Sequence, residues 1–161
     1  MLECLFQPRS VAVIGASSRP LSIGNRVVSN LVRSGFAGPI HPVNPRPGDV
    51  WGRAAVPSLD AIDGPIDLAM VALPAAAVPE ALEACARRGV GAAIVHSAGF
   101  AESGAEGAAL ERRCVEIARN RGLRLLGPNA QGVMNADPAV SLNATFTFTP
   151  LRPGPVAAGL C

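Results

Sequence analysis

The chain has 161 residues, of which 49% are hydrophobic and 16% are charged, and its formal net charge is +2. A chain of this size and composition can bury the core of one domain, and it is neither disordered nor a strongly basic nucleic-acid binder. All fourteen basic residues are arginine, which excludes a phosphate-binding P-loop because that motif ends in a lysine.

The first regular unit is a strand, a loop and a helix. The apolar run at residues 11–14 predicts a buried strand, which ends at Gly15. A small polar loop leads into a helix that we predict over residues 22–33, with Ser22 as its N-cap and Gly35 just past its end. Such a unit offers backbone N–H groups and a helix N-terminus to a phosphate.

The rest of the chain alternates strands and helices. Further strands are predicted over residues 39–43, 67–73, 90–95 and 123–126. Further helices are predicted over residues 79–88 and 105–121, with a shorter one between residues 58 and 64. This alternation predicts an α/β fold, a Rossmann-like doubly wound parallel sheet of about five strands in a single domain, with helices on both faces.

We assign the predicted domain to residues 1–137. Residues 1–9 are expected to be a short lead-in without regular structure, because Pro8 and Ser10 interrupt any pattern before the first strand. Residues 138–161 alternate loosely and are interrupted by prolines. They are expected to be a tail, which either packs on the domain or leads towards a second domain.

The C-terminal ends of the strands are the candidate binding region, because ligands of such sheets lie there. All five predicted ends are rich in glycine, proline, serine or asparagine, which lets a ligand approach the backbone closely. The segments are Gly15-Ala16-Ser17, Val43-Asn44-Pro45-Arg46, Ala72-Leu73-Pro74, Ser97-Ala98-Gly99 and Gly127-Pro128-Asn129.

The loop after the first strand differs from the G-x-G-x-x-G fingerprint of dinucleotide-binding domains, since it reads GASSRPLSIG from Gly15 to Gly24. That fingerprint comes with an acidic residue near the end of the second strand, which binds a ribose diol. This chain has Asn44 and Arg46 there, and an arginine suits a phosphate. The two features favour a phosphorylated nucleotide, and the alternative is an ordinary turn beside a solvated arginine.

No catalytic constellation is evident. His41 and His96 are the two imidazoles, and His96, at the end of the fourth strand, could face a ligand, but no carboxylate is evidently placed to orient it. A metal site would need more ligands than two distant histidines and scattered cysteines supply. We therefore assign no catalytic and no metal-binding residue. Four arginines are interpreted as solvated helix faces: Arg87, Arg88, Arg112 and Arg113.

The four cysteines, Cys4, Cys85, Cys114 and Cys161, stand far apart and form no C-x-x-C pair. Cys85 and Cys114 fall inside helical patterns and are interpreted as small core residues. This usage is typical of a reducing compartment. The sequence shows neither a signal peptide nor an apolar stretch long enough to span a membrane, and we expect a cytoplasmic protein.

Six motifs, taken together, indicate a family. They are SVAVIGAS at residues 10–17, SIG at 22–24, PIHPVNP at 39–45, DLAMVALP at 67–74, SAGFAE at 97–102 and LGPN at 126–129. In this order the chain resembles the N-terminal CoA-binding domain of NDP-forming acyl-CoA synthetases and, more distantly, the alpha subunit of succinyl-CoA synthetase. The resemblance runs from Leu5 to Pro155.

The resemblance implies that coenzyme A is held across the strand ends. The phosphate-bearing part would be lined by Gly15, Ala16, Ser17, Ser22, Ile23 and Gly24. The adenosine 3′-phosphate side would be met by Val43, Asn44, Pro45 and Arg46. Adenine and pantetheine would be flanked by Leu73, Pro74, Ser97, Ala98 and Gly99. The thiol end would lie near Pro128 and Asn129.

Two departures from the family pattern bear on function. Many members have a cysteine after the Gly-Pro-Asn motif, where this chain has Ala130. Members also continue into a flavodoxin-like domain with a phosphorylated histidine and into an ATP-grasp domain, so we expect this chain to be inactive alone and to work with further domains or a subunit. The alternatives are a non-catalytic CoA-sensing module, alone or fused to a protein acetyltransferase, and an NAD(P)-binding Rossmann domain. Neither nucleic acid nor a membrane is expected as a partner.

Overall fold

Five parallel strands form the central sheet, in the spatial order β2-β1-β3-β4-β5. The computed structural model describes residues 2–148 and 150–154. The strands are β1 (Val11–Ile14), β2 (Ile40–Val43), β3 (Leu68–Val71), β4 (Ala92–Val95) and β5 (Arg124–Leu126). The helices are α1 (Glu3–Phe6), α2 (Ile23–Ser34), α3 (Val78–Arg87) and α4 (Ala105–Arg121). This arrangement confirms the predicted α/β fold.

The strand order places a crevice at one end of the sheet. β1 lies between β2 and β3, with Val11 paired to Ile40 on one side and to Leu68 on the other. The chain direction around the sheet therefore reverses at β1, and the C-terminal ends of β1 and β3 form the crevice where open sheets of this kind bind ligands.

Alternate residues of each strand enter two apolar cores, one on each face of the sheet. In β3, Leu68 and Met70 belong to one core and Ala69 and Val71 to the other. Helix α2 covers the first face, and α3 and α4 cover the second. Burial on both faces explains why the strands are unbroken apolar runs in the sequence.

Two cysteines contribute to the second core, as predicted. Cys85 and Cys114 are fully buried there, between the helices and the sheet. Burial raises the pKa of the Cys85 thiol to about 12. At neutral pH this side chain is therefore a small apolar group rather than a nucleophile.

The ends of α2 are set by the residues that the sequence analysis singled out. The Ser22 hydroxyl accepts a hydrogen bond from the backbone N–H of Asn25, so Ser22 caps the first turn. Gly35 follows the helix with a φ of 76°, in the left-handed conformation that glycine adopts without strain.

Two further strands, β6 (Gly132–Asn135) and β7 (Leu142–Thr145), form an antiparallel hairpin on the α2 side of the sheet. Leu142 and Ala144 are fully buried in the core that α2 also covers. Asn30 links α2 to the hairpin, because its side-chain amide donates a hydrogen bond to the carbonyl oxygen of Thr145 at 2.8 Å. The hairpin thus fills the part of this face that one helix leaves open.

Neither β6 nor β7 was predicted as a strand from the sequence. The residues of β7 alternate between apolar and polar, but all four are buried, so the polar ones do not mark an exposed face as they do in a half-exposed strand. Residues 142–145, which belong to the expected tail, pack on the domain. Residue 149 and residues 155–161 of that segment lie outside the described residues.

Three smaller expectations also need correction. The lead-in contains the short helix α1, where no regular structure was predicted. The helix expected between residues 58 and 64 is a single 3₁₀ turn over Leu59–Ala61. Arg88 is not simply solvated, because its guanidinium donates to the backbone carbonyls of Leu59, Ile62 and Gly64 and fastens that turn to the end of α3.

Over the residues that the structure describes, no helix has both the length and the apolar character needed to cross a bilayer.

Candidate functional site

The loop after β1 is built on two glycines that bring backbone segments into close contact. Gly15 has a φ of 86°, and a Cβ built on it would overlap the carbonyl oxygen of Ala72 at the end of β3. A Cβ on Gly24 would overlap the carbonyl oxygen of Gly15. The first turn of α2 therefore packs directly on the turn that ends β1, as in the dinucleotide fingerprint, although the glycine spacing differs.

The start of α2 is fixed to this loop by a short set of hydrogen bonds. The side-chain amide of Asn25 donates to the carbonyl oxygen of Ser17 at 2.8 Å, and the Ser17 hydroxyl accepts from the backbone N–H of Arg19 at 3.1 Å. The Ser22 hydroxyl accepts the hydrogen bond from the backbone N–H of Asn25. The backbone N–H groups of Ile23 and Gly24 have no acceptor inside the helix, because they belong to its first turn. These two donors and the positive end of the helix dipole favour an anion at this point.

Asn44 links the end of β2 to the loop after β1. Its side-chain nitrogen donates to the carbonyl oxygen of Ala16 at 2.6 Å, and its side-chain oxygen accepts from the backbone N–H of Arg46 at 2.9 Å. The Arg46 side chain is exposed beside this link. Asn44 therefore holds the backbone of Arg46 at the rim of the crevice, next to the loop after β1.

The ends of β3, β4 and β5 are joined in the same way. The Ser97 hydroxyl donates to the carbonyl oxygen of Leu73 at 2.5 Å. The backbone N–H of Asn129 donates to the carbonyl oxygen of Ser97 at 3.0 Å. Together with the Asn44 link and the Gly15 contact, these bonds connect all five strand-end segments into one continuous edge.

The structure thus brings the sequence-predicted segments together at one edge of the sheet, though their side chains differ in exposure. Several side chains are exposed at that edge: Pro45, Arg46, Pro74, Ala98 and Asn129. Others are buried and shape it from beneath: Ala16, Gly24, Val43 and Ser97. Gly15, Ser17, Ser22, Ile23, Asn44, Leu73, Gly99 and Pro128 are partly exposed.

His96 does not face the strand-end crevice, although the sequence analysis left that open. Its ring is 2% exposed and lies under the β6–β7 hairpin, edge-on to Phe146 with centroids 5.4 Å apart. Nδ1 is 2.9 Å from the carbonyl oxygen of Ala130; a carbonyl only accepts, so Nδ1 carries the proton. Burial lowers the pKa of His96, and the bond to Ala130 opposes this more weakly. At neutral pH the ring is therefore a neutral structural group.

Two residues that support the edge were missed by the sequence analysis. Asn25 holds Ser17, and Glu102 accepts the backbone N–H of Gly99 at 2.6 Å. That bond is the main cause that holds the pKa of Glu102 below its ordinary value. A signal was available for Glu102, which lies three residues after Gly99, the spacing of a backbone cap, whereas the bond from Asn25 to Ser17 spans eight residues and has no such signal.

Metal chemistry finds no support in the described part of the chain. Among residues 2–148 and 150–154, no three histidine, cysteine, aspartate or glutamate side chains are grouped so that they could hold an ion.

Comparison with known proteins agrees with this geometry. The sequence profile of a CoA-binding domain family matches residues 9–136. The chain belongs to this CoA-binding domain family. The CoA-binding domain is 45% identical over 160 residues to the alpha subunit of acetate–CoA ligase [ADP-forming] I from Pyrococcus furiosus, a match that covers 97% of this chain and 34% of the relative. It is 42% identical over 156 residues to acetate–CoA ligase [ADP-forming] I from Archaeoglobus fulgidus, covering 97% of this chain and 22% of the relative.

A solved structure gives the same picture. The chain superposes with a TM-score of 0.84 and 38% identity on a dinucleotide-forming acetyl-coenzyme A synthetase 1 from Ca. Korarchaeum cryptofilum, solved in complex with phosphate and ADP. The match covers 91% of this chain and 31% of that protein. The CoA-binding domain thus spans about a third or less of the relatives that it matches.

Proposed function

We propose that this domain binds coenzyme A across its five strand ends, as the CoA-binding unit of an NDP-forming acyl-CoA ligase. The family match supports CoA as the ligand, and the joined strand ends provide one continuous edge for an elongated molecule. The proposed diphosphate site consists of Gly15, Ala16, Ser17, Ser22, Ile23 and Gly24. The proposed 3′-phosphate side consists of Val43, Asn44, Pro45 and Arg46. The proposed adenine and pantetheine walls are Leu73, Pro74, Ser97, Ala98 and Gly99, with Pro128 and Asn129 at the thiol end.

The observation that carries the proposal is the packing of two glycines at the start of α2. Because no Cβ fits on Gly15 or Gly24, the backbone of the loop and the helix N-terminus come together with no side chain between them. Backbone N–H groups in such a turn, next to a helix N-terminus, bind the phosphates of nucleotides. CoA carries a diphosphate that fits this position.

Arg46 supports the choice of CoA over NAD. The ribose of CoA carries a 3′-phosphate, whereas the ribose of NAD has a free diol that an acidic residue usually binds. The exposed guanidinium at the end of β2 complements a phosphate and offers nothing specific to a diol. CoA therefore fits both charged features of the edge.

We propose that the complete reaction, which joins a carboxylate to CoA, needs parts beyond this domain. The relatives named as ADP-forming ligases are about three to five times as long as the matched region. We place the phosphohistidine and the ATP-grasp parts of the reaction in further domains or a partner subunit. His96 is buried beneath the hairpin, so the 161-residue chain alone should form no acyl-CoA. Free thiols at Cys4, Cys85 and Cys114 support a cytoplasmic location.

Calorimetry with matched ligands tests the proposal. The domain should bind CoA more tightly than dephospho-CoA, and NAD weakly or not at all. Arg46→Ala should lower the affinity for CoA by about tenfold or more, because an arginine–phosphate bond is lost. The same variant should leave the affinity for dephospho-CoA unchanged. Arg112→Ala, a matched change on the exposed face of α4, should alter neither.

Two results would contradict the proposal. Equal affinity for CoA and dephospho-CoA in the parent protein would remove Arg46 from its assigned role. Binding of NAD as tightly as CoA would replace the CoA assignment by a dinucleotide one.

A further inference from the structure

A groove of about 580 Å³ runs along the flank of α2, between that helix and the segment that follows β6. It begins at Leu21 and Trp51 and extends to Arg33 and Ser141. Among the described residues, the lining includes none of those proposed to contact CoA, although it includes Asn25, which supports the loop after β1. The groove is therefore a separate cavity of the size that small ligands occupy.

The groove is positively charged. Arg26 and Arg33 line it from one face of α2, and seven helical residues place their Cα atoms about 10 Å apart along the axis. No aspartate or glutamate is found in its described lining. The ion pairs of the described residues, Arg9 with Asp67 and Arg121 with Glu83, use neither of these arginines. The charges of the groove are thus available to an external anion.

Arg26 is held in place and lacks an acceptor. Its guanidinium lies over the ring of Phe148, 4.0 Å from the ring centroid. Its Nε is shielded from solvent and has no hydrogen-bond acceptor among the residues that the structure describes. A shielded charged donor without an acceptor is unfavourable. The contact with Phe148 holds the guanidinium in position beside the groove, where an anion would compensate its positive charge.

The walls of the groove also offer flat apolar surface. Leu21, Trp51 and Phe148 are 68%, 46% and 75% exposed. Trp51 has a φ of 56°, an unusual value for a bulky residue, and its indole N–H donates to the side-chain oxygen of Asn25 at 3.3 Å. The indole is thus fixed at one end of the groove, where it presents a face on which a ring can stack.

We propose that this groove is a second ligand site, for a phosphate-bearing molecule with a flat ring, the chemistry of a nucleotide. The phosphate groups pair with Arg26 and Arg33, and the ring packs against Trp51 or Phe148. The inference goes beyond CoA binding and does not depend on it, because the two sites have different linings.

Fluorescence of Trp51, the single tryptophan of the chain, gives a direct test. ADP is the probe, with adenosine and pyrophosphate as probes of the ring and the charge alone. ADP should change the emission in a saturable way and bind more tightly than either part. The double variant Arg26→Gln/Arg33→Gln should lower the affinity for ADP by about tenfold or more. The affinity for CoA, measured by calorimetry, should stay at the value of the parent protein.

Two controls separate this site from the strand-end site. Arg112→Gln/Arg113→Gln removes the same charge from α4 and should leave ADP binding unchanged. Arg46→Ala should lower the affinity for CoA and leave the affinity for ADP unchanged. If Arg46→Ala lowers the affinity for ADP and Arg26→Gln/Arg33→Gln does not, ADP binds at the strand ends and the groove proposal is wrong. It is equally overturned if the folded parent, verified by a thermal melt, shows no saturable response to ADP in fluorescence or calorimetry.

Discussion

Asn44 gives the sharpest test of how the strand-end site is held together. Asn44→Ala removes the donor to the carbonyl oxygen of Ala16 and the acceptor for the N–H of Arg46. Ala16 is fully buried, so its carbonyl loses a partner that water cannot easily replace. The N–H of Arg46 is at an exposed position and regains water.

The size of the effect follows from this asymmetry. A buried acceptor left without a donor lowers the free energy of unfolding by about 1–3 kcal/mol, whereas the exposed N–H adds little. For a domain of this size that corresponds to a fall in Tm of about 2–12 °C. CoA affinity should also fall, by about tenfold, because the loop that holds the diphosphate is no longer tied to β2 before the ligand arrives.

Thermal unfolding and calorimetry on two variants measure both effects. Asn44→Asp keeps the acceptor for Arg46 but sets a carboxylate oxygen against the carbonyl of Ala16, so at neutral pH it should be at least as harmful as alanine. Asn120→Ala, at an exposed position of α4, should change the unfolding free energy by no more than about 0.5 kcal/mol. If Asn44→Ala keeps the Tm and the CoA affinity of the parent, the link from β2 does not position the loop.

Three other predictions follow from the described contacts. Leu142→Ala should lower the free energy of unfolding by about 2–5 kcal/mol in denaturant titrations, because Leu142 is fully buried; Leu2→Ala, at an exposed position, should have little effect. Gly24→Ala should impair CoA binding and stability together, since its Cβ overlaps the carbonyl of Gly15. Burial lowers the pKa of His96 from 6.5, so the unfolded state binds a proton at a higher pH than the folded state does. The free energy of unfolding should therefore be independent of His96 well above pH 6.5 and should fall as the pH drops below that value. His96→Leu should remove this part of the pH dependence of the free energy of unfolding.

The central sheet and the meeting of the five strand ends at one edge could be predicted because each rests on a local signal. Ser22 and Gly35 mark the ends of α2 by their capping chemistry. The apolar runs mark strands that are buried on both faces, and parallel connections collect all their C-terminal ends on one edge. The sequence was therefore sufficient to predict which segments meet at that edge.

The hairpin could not be predicted by the same logic. Asn143 and Thr145 are buried beside Leu142 and Ala144, and the Thr145 hydroxyl donates to the side-chain oxygen of Asn143 at 2.8 Å. These polar side chains form a hydrogen bond with each other inside the protein, so they can be buried. The polar residues of β7 therefore do not indicate which of its positions are exposed. Only the packing on α2 and the sheet shows that the segment is a strand.

His96 is an intermediate case. Ile94 enters the core that α2 covers, and His96, two residues further along, lies on the same side of the sheet. What covers that position did not follow, because the β6–β7 hairpin was not recognised. An interpretation of His96 as ligand-facing depended on that missing cover.

Ala130, where many members of the family have a cysteine, acts through its backbone in this chain. Its N–H donates to the carbonyl oxygen of Val95 at 3.1 Å, and its carbonyl accepts from His96. Both bonds are independent of the side chain, which is 2% exposed. The same turn sets Asn129, whose N–H is bonded to Ser97, at the exposed edge of the sheet. The loop after β5 therefore keeps the geometry proposed for the thiol end of CoA without a thiol at position 130, and any chemistry that a cysteine supplies there in other members is not needed to hold the site in place.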